Sequence, residues 1–252
     1  MRNAPITFAS WLIKIFQLGI RQSLQSHGYQ IMRIGLFGGT FNPIHRGHIK
    51  VVQEVKKGFN LEQVFIIPAA LPPHKTSFAV AGADDRLKMI HLALADLSGI
   101  TVSEVELKRA GPSYTIDTVS HFKQTYPHDS LFYLILGLDA FLEIDTWKSY
   151  RQLLEQTALI VVARPNEKYQ KGPEARKIME GFLQSSIAAD YEFSAPQGCF
   201  VAAGKQPIYI RDISALDISS TEIREKIKKH KSIENLVSPS VAEYIQLKGL
   251  YK

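Results

Sequence analysis

The chain has 252 residues, 45% hydrophobic and 21% charged, with a formal net charge of +6. That length buries one sizeable core, and the balance excludes a disordered or fibrous chain. No apolar run approaches the ~20 residues that cross a bilayer, and a single cysteine, Cys199, excludes an internal disulfide or a cysteine-built zinc cluster and suits a reducing, cytoplasmic setting.

Residues 1–31 are acid-poor, the first acidic residue being Glu54, and the apolar stretch from Ser10 to Ile20 is broken by Lys14. This lead reads as a dispensable extension or a mis-assigned start ahead of Met32. A targeting leader or membrane-surface helix is the alternative. The domain proper is residues 32–252. From Ile34 onwards short β-rich runs alternate with helical patterns: Ile34–Phe37, Val64–Ile67, Thr101–Val105, Leu131–Leu136, Leu159–Ala163 and Ile208–Ile210 are the candidate strands. Several are continuous apolar runs, as parallel strands covered on both faces require. Asn42 is expected to cap a helix with Pro43 at its first position and Gly58 after its last turn. Asp84 is expected to cap a helix through Ala95, and Ser238-Pro239 to open one that stops at Gly249. The rhythm predicts an α/β, doubly wound, mainly parallel sheet with helices on both faces. Such sheets bind ligands at the carboxyl ends of their strands. Residues 166–204, rich in Gly, Pro and Ser, read as an insertion or lid.

Directly after the first strand comes Gly38-Gly39-Thr40-Phe41-Asn42-Pro43-Ile44-His45-Arg46-Gly47-His48. Glycines there let backbone amides approach an anion, and the following helix offers its positive end. His45 and His48, three apart, share a face and can donate to phosphate oxygens. The spacing fails the dinucleotide fingerprint, which wants Gly-x-Gly-x-x-Gly and an acidic residue about 20 further on. Near the other end stands Ile218-Ser219-Ser220-Thr221-Glu222-Ile223-Arg224. Ser219 and Glu222 make a capping box. The same geometry lets the amides and hydroxyls of Ser219, Ser220 and Thr221 hold phosphate while Arg224 clamps its β,γ end.

Together these two segments resemble the signature pair of the adenylyl/cytidylyltransferase superfamily, and the stretch from Met32 onward resembles bacterial nicotinate-nucleotide adenylyltransferases. The resemblance extends to Pro72-Pro73-His74-Lys75, Arg86-Leu87-x-Met89, Ser113-Tyr114-Thr115-Ile116-Asp117-Thr118, Gly137-Leu138-Asp139 with Trp147, and Arg164-Pro165. Asn42 departs from it, since many relatives carry Asp there. The first 31 residues and parts of 166–204 lie outside it.

The resemblance implies a Rossmann-like enzyme that transfers AMP from ATP to nicotinate mononucleotide, releasing pyrophosphate. It implies that Gly38, Gly39, Thr40, Phe41, His45, His48, Gly137, Asp139, Arg164, Ser219, Ser220, Thr221 and Arg224 bind ATP. His45, His48, Lys75 and Arg224 would act on the phosphates. Asn42, Lys75, Tyr114, Thr115 and Trp147 would bind the mononucleotide, with Trp147 stacking on the pyridine ring and the Tyr114–Thr115 segment reading the carboxylate. Mg2+ would be held mainly through the ATP phosphates, with no protein metal site. No nucleic-acid or membrane partner is expected, and association of identical copies is left open. His74, His91, His121 and His128 are read as structural. The rival readings are a related adenylyltransferase using the amide nucleotide, and a non-catalytic nucleotide or RNA-binding module.

Overall fold

The computed structural model describes residues 31–70, 80–163, 173–214 and 218–252. Among these, eight strands form one sheet: β1 (Arg33–Gly39), β2 (Gln63–Pro68), β3 (Ile100–Val102), β4 (Leu131–Gly137), β5 (Ala158–Ala163), β6 (Glu192–Ser194), β7 (Cys199–Val201) and β8 (Ile208–Asp212). The helices are α1 (Arg46–Gly58), α2 (Ala83–Leu94), α3 (Val105–Lys108), α4 (Thr115–Thr125), α5 (Leu138–Phe141), α6 (Tyr150–Gln156), α7 (Pro173–Phe182), α8 (Ser220–Lys228) and α9 (Pro239–Lys248).

Strand side chains alternate between two apolar layers. In β4, Phe132, Leu134 and Leu136 enter one core while Tyr133 and Ile135 enter the other. A strand buried on both sides has no wet face, which is why the run is apolar throughout. On the Tyr133 side lie α1, α2, α8 and α9, through residues such as Val52, Ile90, Ile223 and Val241. On the Phe132 side lie α4 to α7, through Val119, Phe141, Leu153 and Met179. The expected doubly wound, Rossmann-like architecture is therefore present.

Across the sheet the order is β3-β2-β1-β4-β5-β8-β7-β6. The first six strands are parallel, and β7 and β6 add an antiparallel edge. From β1 the chain winds outward to β2 and β3, then returns to place β4 on the other side of β1. That reversal opens a crevice at the carboxyl ends of β1 and β4. Phe37 pairs with Ile135, so Gly39 and Gly137, two residues further along their strands, flank it together.

Several boundaries differ from the sequence reading. Val105 opens α3 instead of ending β3. Asn42 and Pro43 do not start α1: the N-cap is His45, in extended backbone, and the Asn42 side chain is engaged elsewhere. Gly58 is the last helical residue, with Phe59 at the C-cap. Gly82, not Asp84, occupies the N-cap of α2, and Asp84 sits in its first turn beside the helix's positive end. The Ser238-Pro239 start and the Gly249 stop of α9 hold. The described part of 166–204 is more ordered than expected, comprising α7, a π turn over Leu183–Ile187 and the β6–β7 hairpin. Burial pushes the Cys199 thiol in β7 up to about 11, as an inert structural cysteine requires.

Candidate active site

His45 and His48 form a reciprocal cap at the start of α1. The backbone N–H of His48 donates to Nδ1 of His45 at 3.4 Å, and that of His45 donates to Nδ1 of His48 at 3.2 Å. The rings stack with centroids 3.6 Å apart. An Nδ1 that accepts from an amide leaves the proton of a neutral imidazole on Nε2, so both rings carry an Nε2 donor. His45 is buried at 3% exposure and His48 is half-buried, making His48 the more accessible of the two. Phe41 supports His48 edge-on at 5.1 Å. No acidic side chain stands in the first turn of α1, while Lys56 and Lys57 complement its far end.

The glycines before this cap do different work. A Cβ on Gly39 would stand 3.0 Å from the Phe41 ring, so the ring folded beneath the strand end would have to give by a few tenths of an ångström. A Cβ on Gly38 would meet nothing within 4 Å among the described residues. The space over Gly38 is open at the mouth of the crevice.

The second motif meets the first directly. Ser220 Oγ donates to the Pro43 carbonyl at 2.9 Å across 177 positions, and Arg224 Nη1 donates to the Asn42 carbonyl at 2.9 Å across 182. Arg224 Nη2 also donates to Thr221 Oγ1 at 3.2 Å. Ser219 caps α8 by accepting the Glu222 N–H at 3.0 Å, one half of the expected capping box, while the Glu222 carboxylate pairs with Lys226 at 3.5 Å. Two helix N-termini thus converge on one loop at the end of β1. In α1 the Arg46 N–H already donates to the Leu236 carbonyl and that of His48 to His45, and in α8 the Glu222 N–H donates to Ser219; what the two helix starts share is the positive end that favours an anion. On the other side of the crevice Gly137 ends β4 and caps α5. Asp139 is therefore not the N-cap, and stands exposed in the first turn of α5.

Beyond β2 lies a second cluster. Ala70 N–H donates to Ser113 Oγ at 3.0 Å, fixing the segment before α4 to the end of β2. Tyr114 is the N-cap residue of α4 and Thr115 its first helical residue. Trp147 and Tyr114 are partly buried against the same core. Lys148 joins their segments, its Nζ lying 4.5 Å from the Tyr114 ring centroid and 3.1 Å from Asp117 Oδ2. Beneath them Arg109 Nη2 donates to the Tyr114 carbonyl at 3.4 Å and to Thr118 Oγ1 at 3.1 Å. Thr118 Oγ1 in turn donates to the buried Glu106 at 2.7 Å.

The cytidylyltransferase-like family model matches residues 36–226. A probable nicotinate-nucleotide adenylyltransferase of Desulfatibacillum aliphaticivorans is 41% identical over 222 residues, covering 87% of this chain and all of the relative. The chain belongs to the nicotinate-nucleotide adenylyltransferase family. A second such relative, from Geotalea uraniireducens, is 36% identical over 220 residues, covering 87% of this chain and 98% of its own. In fold the chain is similar to Plasmodium falciparum nicotinic acid mononucleotide adenylyltransferase complexed with NaAD, at a TM-score of 0.65 and 20% identity over 87% of this chain and 97% of that one.

Within this adenylyltransferase fold, Gly38, Gly39, Thr40, Phe41, His45, His48, Gly137, Asp139, Ser219, Ser220, Thr221 and Arg224 gather at the ends of β1 and β4, Phe41 with its side chain turned into the core. Tyr114, Thr115 and Trp147 form the neighbouring cluster. Lys75 and Arg164 lie outside the described residues. Sequence reasoning passed over Arg86, Glu106 and Arg109. Arg86 is 2% exposed and donates from Nη1 to the Thr40 carbonyl at 2.9 Å and from Nε to the Ala81 carbonyl at 3.1 Å. Burial pulls its guanidinium below the ordinary value. Its place in the Arg86-Leu87-x-Met89 match was the available signal. For Glu106, a charge in a polar stretch, there was none.

Proposed function

We propose that the protein catalyses attack of a phosphate oxygen of nicotinate mononucleotide on the α-phosphorus of ATP. A new P–O–P bridge forms, the bond from the α-phosphorus to the β-phosphate oxygen breaks, and that oxygen leaves as pyrophosphate with the electron pair. The observation that carries the reading is the junction of Ser220 with Pro43 and Arg224 with Asn42, which presents the ends of α1 and α8 at one point of the crevice. In-line displacement of this kind needs positioning and charge stabilisation, with no protein nucleophile. The Nε2 donor of His48 serves the α-phosphoryl oxygens, aided by His45, and Arg224 with Lys75 holds the triphosphate. Asp139, exposed at the end of β4, suits the ATP ribose, and Arg164 a further nucleotide contact. Asn42 shapes the mononucleotide side of the loop.

The donor set at the loop consists of N–H groups and cations, which receives phosphate oxygens and offers little to a bare divalent ion. Magnesium would be held through the ATP phosphates, whose charge it would screen. On the far side Trp147 stacks on the pyridine ring while the start of α4, at Tyr114 and Thr115, donates to its carboxylate. Charge-assisted bonds favour the acid over the amide. No helix among the described residues is long and apolar enough to cross a membrane. The single cysteine suits a reducing compartment, and on that ground we assign the reaction to the cytoplasm. The test is pyrophosphate release from ATP with nicotinate mononucleotide. Release is expected only when both are present; ATP consumed without the mononucleotide, or no release with it, would overturn the assignment.

A further inference from the structure

Tyr251 lies outside both phosphate motifs, yet it reaches the first of them. Helix α9 ends in a Schellman turn: the Leu250 N–H donates to the Ile245 carbonyl at 3.0 Å and the Gly249 N–H to that of Gln246 at 3.1 Å. Gly249 has φ +61°, a left-handed value that favours glycine, and Tyr251 has φ +66°. These two turns aim Tyr251 back at the loop after β1. Its hydroxyl donates to Asn42 Oδ1 at 2.8 Å, across 209 positions. The same Oδ1 accepts the Ala81 N–H at 3.0 Å, and the Asn42 carbonyl accepts from Arg224. Asn42 is 5% exposed, so these bonds operate with little competition from water. Burial raises the Tyr251 phenol while Arg224 and Arg86 oppose the rise; it stays a protonated donor at ordinary pH.

We propose that Tyr251 is a positioning residue of the adenylyltransferase site, holding the Asn42 amide so that the loop after β1 and the Arg224 guanidinium keep the geometry that receives the triphosphate. This rests on the reaction proposed above. Tyr251 touches no substrate; it acts through Asn42. The molecule supplies its own control. Tyr244, on α9 itself, donates its hydroxyl to Asp85 Oδ1 of α2 at 2.8 Å. That bond has the same length, ends on a carboxylate where the other ends on an amide, and joins neighbouring elements without touching the loop.

Y251F and Y244F each remove one hydroxyl and keep the ring. Both should fold, with melting temperatures close to each other. Only Y251F should weaken ATP binding measured by calorimetry and lower kcat/KM for ATP, by about three- to tenfold, the range of one neutral hydrogen bond. KM for nicotinate mononucleotide, whose side of the loop Asn42 also shapes, should rise in Y251F and stay within error of wild type in Y244F. Equal ATP affinity and kinetics in the two variants would overturn the proposal, as would a Y251F loss that follows its melting temperature and is matched by Y244F. Wild-type turnover is read first in the same assay, so failure of the proposed reaction appears there and failure of the tyrosine's role appears between variants.

Discussion

The imidazole of His48 divides its work between two nitrogens. Nδ1 accepts the His45 amide and completes the cap of α1, while Nε2 is the donor proposed to meet phosphate. An alanine would remove both and mix a capping loss of about 0.5–2 kcal/mol with any catalytic one. His48→Asn separates them, because its Oδ1 can stand in for Nδ1 while nothing replaces Nε2. The expected result is a melting temperature near wild type and turnover lower by roughly 10²–10³, the usual loss for one donor to a transition-state oxygen. A His48→Asn enzyme with normal turnover would reduce the histidine to a cap. The two glycines before it divide in the same manner. Gly39→Ala drives a methyl against the Phe41 ring and should lower stability by about 1–3 kcal/mol. Gly38→Ala meets no atom of the described residues within 4 Å, so its melting temperature should hold while KM for ATP rises. Thermal melts paired with ATP titrations read both.

At the level of elements, α3 acts as a brace for α4. Glu106 in α3 and Arg109 at its C-cap grip Thr118 of α4 and the carbonyl of Tyr114, the N-cap of α4 four residues earlier. Arg109→Ala should therefore loosen the start of α4 and shrink the preference for nicotinate over nicotinamide mononucleotide, expected to be on the order of 10² from two mispaired groups at about 1–3 kcal/mol each. Trp147→Ala removes a stacking face that cannot distinguish the two rings; both efficiencies should fall and their ratio stand. Efficiencies with the two mononucleotides decide it, and a ratio unmoved by Arg109→Ala would count against the brace. The brace was illegible in the sequence because a glutamate scores as a solvated charge until a partner is seen beside it. The core strands were legible for the opposite reason: Leu131–Leu136 and Leu159–Ala163 are too apolar to lie anywhere but between two layers. The start of α1 was misjudged because Asn-Pro is a common helix opening, whereas two histidines capping each other is a side-chain arrangement no residue preference announces.

For the whole molecule, the two phosphate motifs could be read separately, but their meeting across some 180 positions is a product of the sheet order. Relatives matched over their full length correspond to 87% of this chain. Removal of residues 1–31 should accordingly leave a folded enzyme with near-normal pyrophosphate release. A soluble truncated protein lacking most of its activity would show that the extension belongs to the catalytic unit. The same long-range junction has a consequence for the newborn chain. Synthesis proceeds at about 5–20 residues per second, so the loop at Asn42 waits roughly ten to forty seconds before Ser220 and Arg224 exist to pin it. Throughout that interval the first half of the protein has its glycines and histidines but no second helix end to face them. An interrupted translation product is therefore a chain that cannot assemble the triphosphate cradle, and ATP can stabilise the fold only after the downstream segment has arrived.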